Sequence, residues 1–116
     1  MEISARIQNG VLICGLAGEL DHHSAKEVKD LIESVVQNRG IKNLIFDFSA
    51  LKFMDSSGIG VVIGRYKLIS SLGGQVAIVS RNRVIDRLLN MSGIHKLIPI
   101  FSQLEDAEFT FEEEIS

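Results

Sequence analysis

Residues 44–72, LIFDFSALKFMDSSGIGVVIGRYKLISSL, decide the fold. Leu44 to Phe48 has the length and apolar content of a buried strand. After it, Asp55-Ser56-Ser57-Gly58 makes a polar turn. Ile59, Val62, Ile63, Tyr66 and Ile69 then recur at the spacing of one helical stripe. The turn delivers two hydroxyls and a carboxylate to a helix N-terminus. There the first N–H groups lack intrahelical partners, and the helix dipole is positive. A phosphate, or a hydroxyl about to receive one, suits that place. So does a plain capping residue, Asp55 or Ser56, and residue types alone favour the cap.

Toward the N-terminus, Ile3 to Ile7 reads as a short strand. Asn9-Gly10 signals a two-residue hairpin, which makes Val11 to Leu16 an antiparallel partner. Gly15 and Gly18 then loosen the chain into the loop Gly18 to His23. Ser24 and Glu27 have the spacing of a capping box. Val28, Leu31, Ile32, Val35 and Val36 form the stripe of a first helix, which Gly40 ends. A strand–helix–strand order makes the second and third strands parallel.

Toward the C-terminus, the second helix runs to about Leu72 and stops at Gly73-Gly74. Val76 to Val79 is a fourth strand, and Val84, Leu88 and Leu89 mark a third helix closed by Gly93. Leu97 to Phe101 is a short strand that Pro99 confines to a sheet edge. Gln103 to Phe111 is a last helix, followed by a solvated run, Glu112 to Glu114. The expected fold is α/β, one domain over residues 1–116, with a mixed sheet of four to five strands and three to four helices.

Composition narrows the function classes. Apolar residues are 46 % of 116, enough for one core without disulfides. The net charge of −3 argues against nucleic-acid binding. The basic clusters Lys26/Lys29, Arg65/Lys67 and Arg81/Arg83/Arg87 read as solvated helix faces. A single cysteine, Cys14, falls in a strand pattern and suits a reducing compartment. With no leader-like N-terminus and no apolar run of about 20 residues, the expectation is a soluble cytoplasmic protein without membrane or nucleic-acid partners.

Three constellations bear on chemistry. Gly58, Gly60 and Gly64 each cost a helix up to ~1 kcal/mol relative to Ala. Gly60 and Gly64 share a face, open either to internal packing or to close approach by a partner. Loops at the C-terminal ends of parallel strands share a rim, so Asp21 to His23 and Ser56 can be neighbours. A hydrolase using Ser56 with His22, His23 or His95 lacks the G-x-S-x-G context. Asp21, His22 and His23 make a poor metal set, since adjacent histidines rarely converge on one ion. No phosphate loop is present.

Four segments match a known family in order along nearly the whole chain: Gly18-Glu19-Leu20-Asp21-His22-His23, Phe53-Met54-Asp55-Ser56-Ser57-Gly58-Ile59-Gly60, Gly64-Arg65-Tyr66-Lys67 and Asp86-Arg87-Leu88-Leu89-Asn90-Met91-Ser92-Gly93. On these the chain resembles the anti-sigma factor antagonists of the STAS-domain family, most of all the sporulation antagonists of spore-forming bacteria. The resemblance implies a STAS-type domain that is not an enzyme and holds no cofactor. Its unphosphorylated form binds an anti-sigma factor that is also a serine kinase, and so frees a sigma factor. The kinase, which holds the nucleotide, phosphorylates Ser56, and a PP2C-type phosphatase resets the protein. Ser57 is then the expected cap or neighbour. Asp21, His22, His23, Ser24, Asp55, Ser56, Ser57, Gly58 and Gly60 are the expected partner face, with Asp21 offering its carboxylate to a basic group. A general stress-response switch is the alternative within the family.

Overall fold

Order along the chain follows from the two hydrophobic periods. The computed structural model describes residues 1–115, with side chains described through Glu112. The elements are β1 (Glu2–Gln8), β2 (Val11–Leu20), α1 (Ala25–Arg39), β3 (Asn43–Met54), α2 (Ser56–Ser71), β4 (Val76–Val79), α3 (Arg83–Ser92), a 3-10 turn (Ile94–Lys96), β5 (Ile100–Phe101) and α4 (Leu104–Ile115). The strands form one sheet in the order β1-β2-β3-β4-β5. β1 is antiparallel to β2 and every other neighbouring pair is parallel.

The β1–β2 hairpin closes as its sequence requires. Asn9 and Gly10 both take positive φ, 54° and 76°. A two-residue turn of that hand matches the twist of the flanking strands.

Steady progress from β2 to β5 with one crossover hand places the connecting helices on one face. Leu12, Cys14, Leu16 and Leu20 of β2 and Phe46, Phe48, Leu51 and Met54 of β3 point to that face. They pack there with Val28, Ile32 and Val36 of α1, Val61, Val62 and Ile69 of α2, and Ile85 and Leu89 of α3. The opposite face carries Val11, Ile13, Ile45, Ala77 and Val79 under Ala107 and Phe111 of α4. β4 and the first part of β3, residues 43–46, are buried on both faces, as a parallel sheet demands, whereas Ser49, Ala50, Lys52 and Phe53 later in β3 are exposed.

Several expectations need correction. β3 runs six residues past Phe48 and β2 four past Leu16. Two register shifts in the β2–β3 ladder, Gly15/Ala17 and Gly18/Glu19, each leave one extra residue on β3. Such bulges break the two-residue alternation. The inward residues become Phe48, Leu51 and Met54, spaced by three. The α2 stripe is rotated: Val61 and Arg65 are buried while Ile59, Ile63 and Tyr66 are only partly so. Arg65 is 8 % exposed, not solvated, and its guanidinium lies 3.3 Å from Glu33 Oε1 on α1. On α3 the buried residues are Ile85 and Leu89, and Val84 faces solvent. β5 begins only after Pro99. Glu112 is exposed, whereas the side chains of Glu113 and Glu114 lie outside the described residues.

Candidate functional site

Two loops meet where the parallel strands β2 and β3 end. Leu20 pairs with Met54 in the ladder. Directly after them the Asp55 N–H donates to the Leu20 carbonyl at 3.2 Å. The loop Asp21 to Ser24 and the turn opening α2 are thereby held on one rim of the sheet.

The first loop is an internally bonded unit. Asp21 Oδ1 accepts from the N–H of His23 at 2.9 Å and of Ser24 at 3.1 Å. The Ser24 hydroxyl donates to the Glu19 carbonyl at 2.9 Å and accepts from the Asp21 N–H at 3.0 Å. Chiefly the Ser24 N–H, then the His23 N–H, the Ser24 hydroxyl and the charge of His23, hold the Asp21 carboxyl below its usual range against a smaller desolvation effect. The expected capping box does not form: Ser24 makes no side-chain cap bond to α1. Its hydroxyl is taken up by the strand end and the loop, which leaves it 8 % exposed. His22 and His23 stand exposed beside it, rings edge to face with centroids 5.8 Å apart.

The second loop has one cap and one free hydroxyl. Asp55, in extended conformation, accepts from the Ser57 N–H at 2.8 Å and caps α2. Ser57 is therefore not the cap; it supplies the capped N–H. Ser56, the first residue of α2, is exposed, and its hydroxyl makes no hydrogen bond to any described residue. The cap has fallen to Asp55, so the helix leaves Ser56 Oγ to solvent at its positive end.

The glycines divide by surroundings. Gly58 is buried, and a Cβ there would lie 2.5 Å from Met54 Cγ and 3.0 Å from Leu20 Cγ. Its missing side chain lets α2 start tight against the strand ends. Gly60 is exposed and a Cβ there would meet nothing within 4 Å, as at Gly64. Internal packing therefore accounts for Gly58 but not for Gly60 or Gly64.

The arrangement does not assemble a triad. The Asp21 carboxylate bonds its own loop backbone, and among the described residues no hydrogen bond joins Ser56 to His22, His23 or His95. Arg65 is the neighbouring residue that sequence reasoning missed; its helix position beside Gly58 and Val61, rather than its charge, marks it as inward.

The STAS domain family model matches residues 2–107. The anti-sigma F factor antagonist of Paenibacillus polymyxa is 43 % identical over 101 residues, 87 % of this chain and 86 % of that protein. The crystal structure of an anti-sigma factor antagonist from Mycobacterium paratuberculosis superposes with a TM-score of 0.85 at 25 % identity, covering 94 % of this chain and 92 % of that one. The structure of the anti-sigma factor antagonist SpoIIAA in its unphosphorylated form shares the fold, with a TM-score of 0.77 at 20 % identity over 97 % of this chain and 98 % of that one. This chain belongs to the STAS-domain family.

Proposed function

We propose that this protein is an anti-anti-sigma factor of a sporulation partner switch. Unphosphorylated, it binds an anti-sigma factor serine kinase and frees the sigma factor. Phosphorylation of Ser56 by that kinase, which carries the ATP, ends the association, and a PP2C-type phosphatase restores it. The observation that carries this reading is the state of the three rim hydroxyls. Ser24 is bonded internally, Ser57 is half-buried behind the Asp55 cap, and Ser56 alone is exposed and unbonded at the helix start. The 43 % identical relative named as an anti-sigma F factor antagonist supports the same reading.

The switch follows from charge. Phosphate brings about −1.5 to −2 charges at neutral pH. Within the free domain it meets the helix N-terminus, favourable by ~0.3–1 kcal/mol, and the Asp55 carboxylate next to it, unfavourable by a similar amount in water. The domain keeps its fold. In a complex the dianion is pressed into a surface that received a hydroxyl, and an uncompensated buried charge costs several kcal/mol. At ~1.4 kcal/mol per tenfold, affinity drops about a thousandfold.

The test is incubation with the cognate anti-sigma kinase and ATP, followed by intact mass and site mapping. The expected product carries one phosphate, on Ser56. Ser56→Ala binds the kinase and is never released, whereas Ser56→Asp folds and fails to bind. Phosphate on another residue, or release of Ser56→Ala by ATP, refutes the mechanism.

A further inference from the structure

The sheet ends on two unlike edges. β5 is two residues long and follows Pro99, which blunts that edge. β1 is an outer strand of seven residues, with no proline and no bulge in its ladder to β2. Each of its residues is exposed except Ile3, which is partly buried. An edge of this kind offers unpaired N–H and C=O groups to another strand.

The hairpin decides which groups those are. The Asn9-Gly10 turn makes Gln8 and Val11 a hydrogen-bonded pair, and such pairs alternate along an antiparallel ladder. Gln8, Arg6, Ser4 and Glu2 therefore turn their backbone groups to β2, while Ile7, Ala5 and Ile3 turn theirs to the open edge. The side chains divide into the same two sets. Ile3, Ala5 and Ile7 lie opposite Leu16, Cys14 and Leu12, on the face of the crossover helices. Glu2, Ser4 and Arg6 lie opposite Ala17, Gly15 and Ile13, on the α4 face. Met1 and Ile7, at the two ends of the edge, are both exposed apolar residues.

We propose that β1 is an interface between two copies of this chain, paired antiparallel and edge to edge about a two-fold axis at Ser4. In that register Ile3 meets Ala5 of the second copy through backbone hydrogen bonds, and Met1 meets its Ile7. On the α4 face Glu2 of each copy lies directly opposite Arg6 of the other. These are non-hydrogen-bonded positions, where side chains come closest and opposite charges stabilise the pairing. A shift of two residues sets Glu2 opposite Gln8 and loses both ion pairs, so the charges that guard this edge against other strands select its own copy. Arg6 is available for the role: its side chain is 58 % exposed and its contact with Glu108 on α4 is 3.8 Å long. α2 packs on β3 and β4, so the interface is separate from the Ser56 turn and does not depend on its phosphorylation.

The test is sedimentation equilibrium of the full chain. One strand pair makes a small interface and a weak, reversible dimer. The average mass is expected to rise from one chain toward two between about 10 µM and 1 mM. Glu2→Arg and Arg6→Glu each set like charges opposite one another and weaken the dimer at least about tenfold. An equimolar mixture of these two variants regains it, because each copy then brings the charges the other lacks. Ala5→Pro removes an N–H turned to the edge rather than to β2, and is expected to stay monomeric. Thermal melts verify the fold of every variant. A parent chain that is monomeric at the highest concentration, or that assembles beyond two chains, overturns the proposal. So does an unchanged dimer in the folded single variants, or a mixture that associates no better than either variant alone.

Discussion

Replacing Gly60 by alanine should stabilise the free protein and damage its association, and the structure supplies the magnitudes. Gly60 lies in the first half of α2 with no positive φ, and a Cβ there meets no atom within 4 Å. Nothing inside the domain opposes the side chain. The substitution recovers the helix cost of glycine, about 0.5–1 kcal/mol. For a domain of this size that raises Tm by roughly 2–6 °C. Two residues earlier the same substitution has the opposite sign. At Gly58 the new carbon falls 2.5 Å from Met54 Cγ and 3.0 Å from Leu20 Cγ, both on buried side chains. Met54 Cγ is near the backbone end of its side chain, so it cannot swing aside freely. Overpacking of this kind costs ~1–3 kcal/mol, and the helix gain of ~0.5–1 kcal/mol offsets only part of it. Thermal unfolding of the two single variants beside the parent measures the difference. Titration of Gly60→Ala with the anti-sigma kinase then asks why an exposed helix position keeps glycine. Weakened binding despite higher Tm is the expected answer, because a close-fitting surface has no room for the methyl group. A Tm for Gly60→Ala at or below that of the parent would refute the packing argument; unchanged affinity would remove Gly60 from the partner face.

Two further predictions concern pH. The Asp21 carboxyl is held below its ordinary range by the Ser24 and His23 N–H groups. Its contribution to loop order is therefore complete above the unfolded value near 3.8 and is lost as pH falls below it through the depressed folded value. The His23 and Ser24 amide signals should move together through that acidic window, and in Asp21→Asn that titration should vanish. Burial pushes the Cys14 thiol up from 9.0 to about 12. Between those values the unfolded chain binds fewer protons than the folded one, so stability falls as pH rises, by ~1.4 kcal/mol per unit. Denaturant melts from pH 8 to 11 should show this slope, Cys14→Ala should flatten it, and a thiol reagent should label Cys14 only on unfolding.

The sequence by itself determined what is local. Asn9-Gly10 specified the hairpin because both residues readily take the positive φ of a tight two-residue turn. The apolar run at Leu44 and the turn at Asp55 specified a strand feeding a helix, and the segment order specified a parallel sheet with its loops on one rim. Tertiary structure decided what depends on neighbours. The true ends of β2 and β3 were hidden because two bulges turn a period of two into one of three, and a bulge exists only relative to the partner strand. Which face of α2 turns inward was hidden because isoleucine and valine surround that helix, so the stripe is chosen by the sheet and by Glu33 reaching Arg65. The roles of the rim hydroxyls were hidden for the same reason. Ser24, Ser56 and Ser57 are one residue type, and only the Leu20–Met54 junction, the Glu19 carbonyl and the Asp55 carboxylate distinguish them. Between them these groups take up Ser24 and the Ser57 N–H and leave Ser56 exposed.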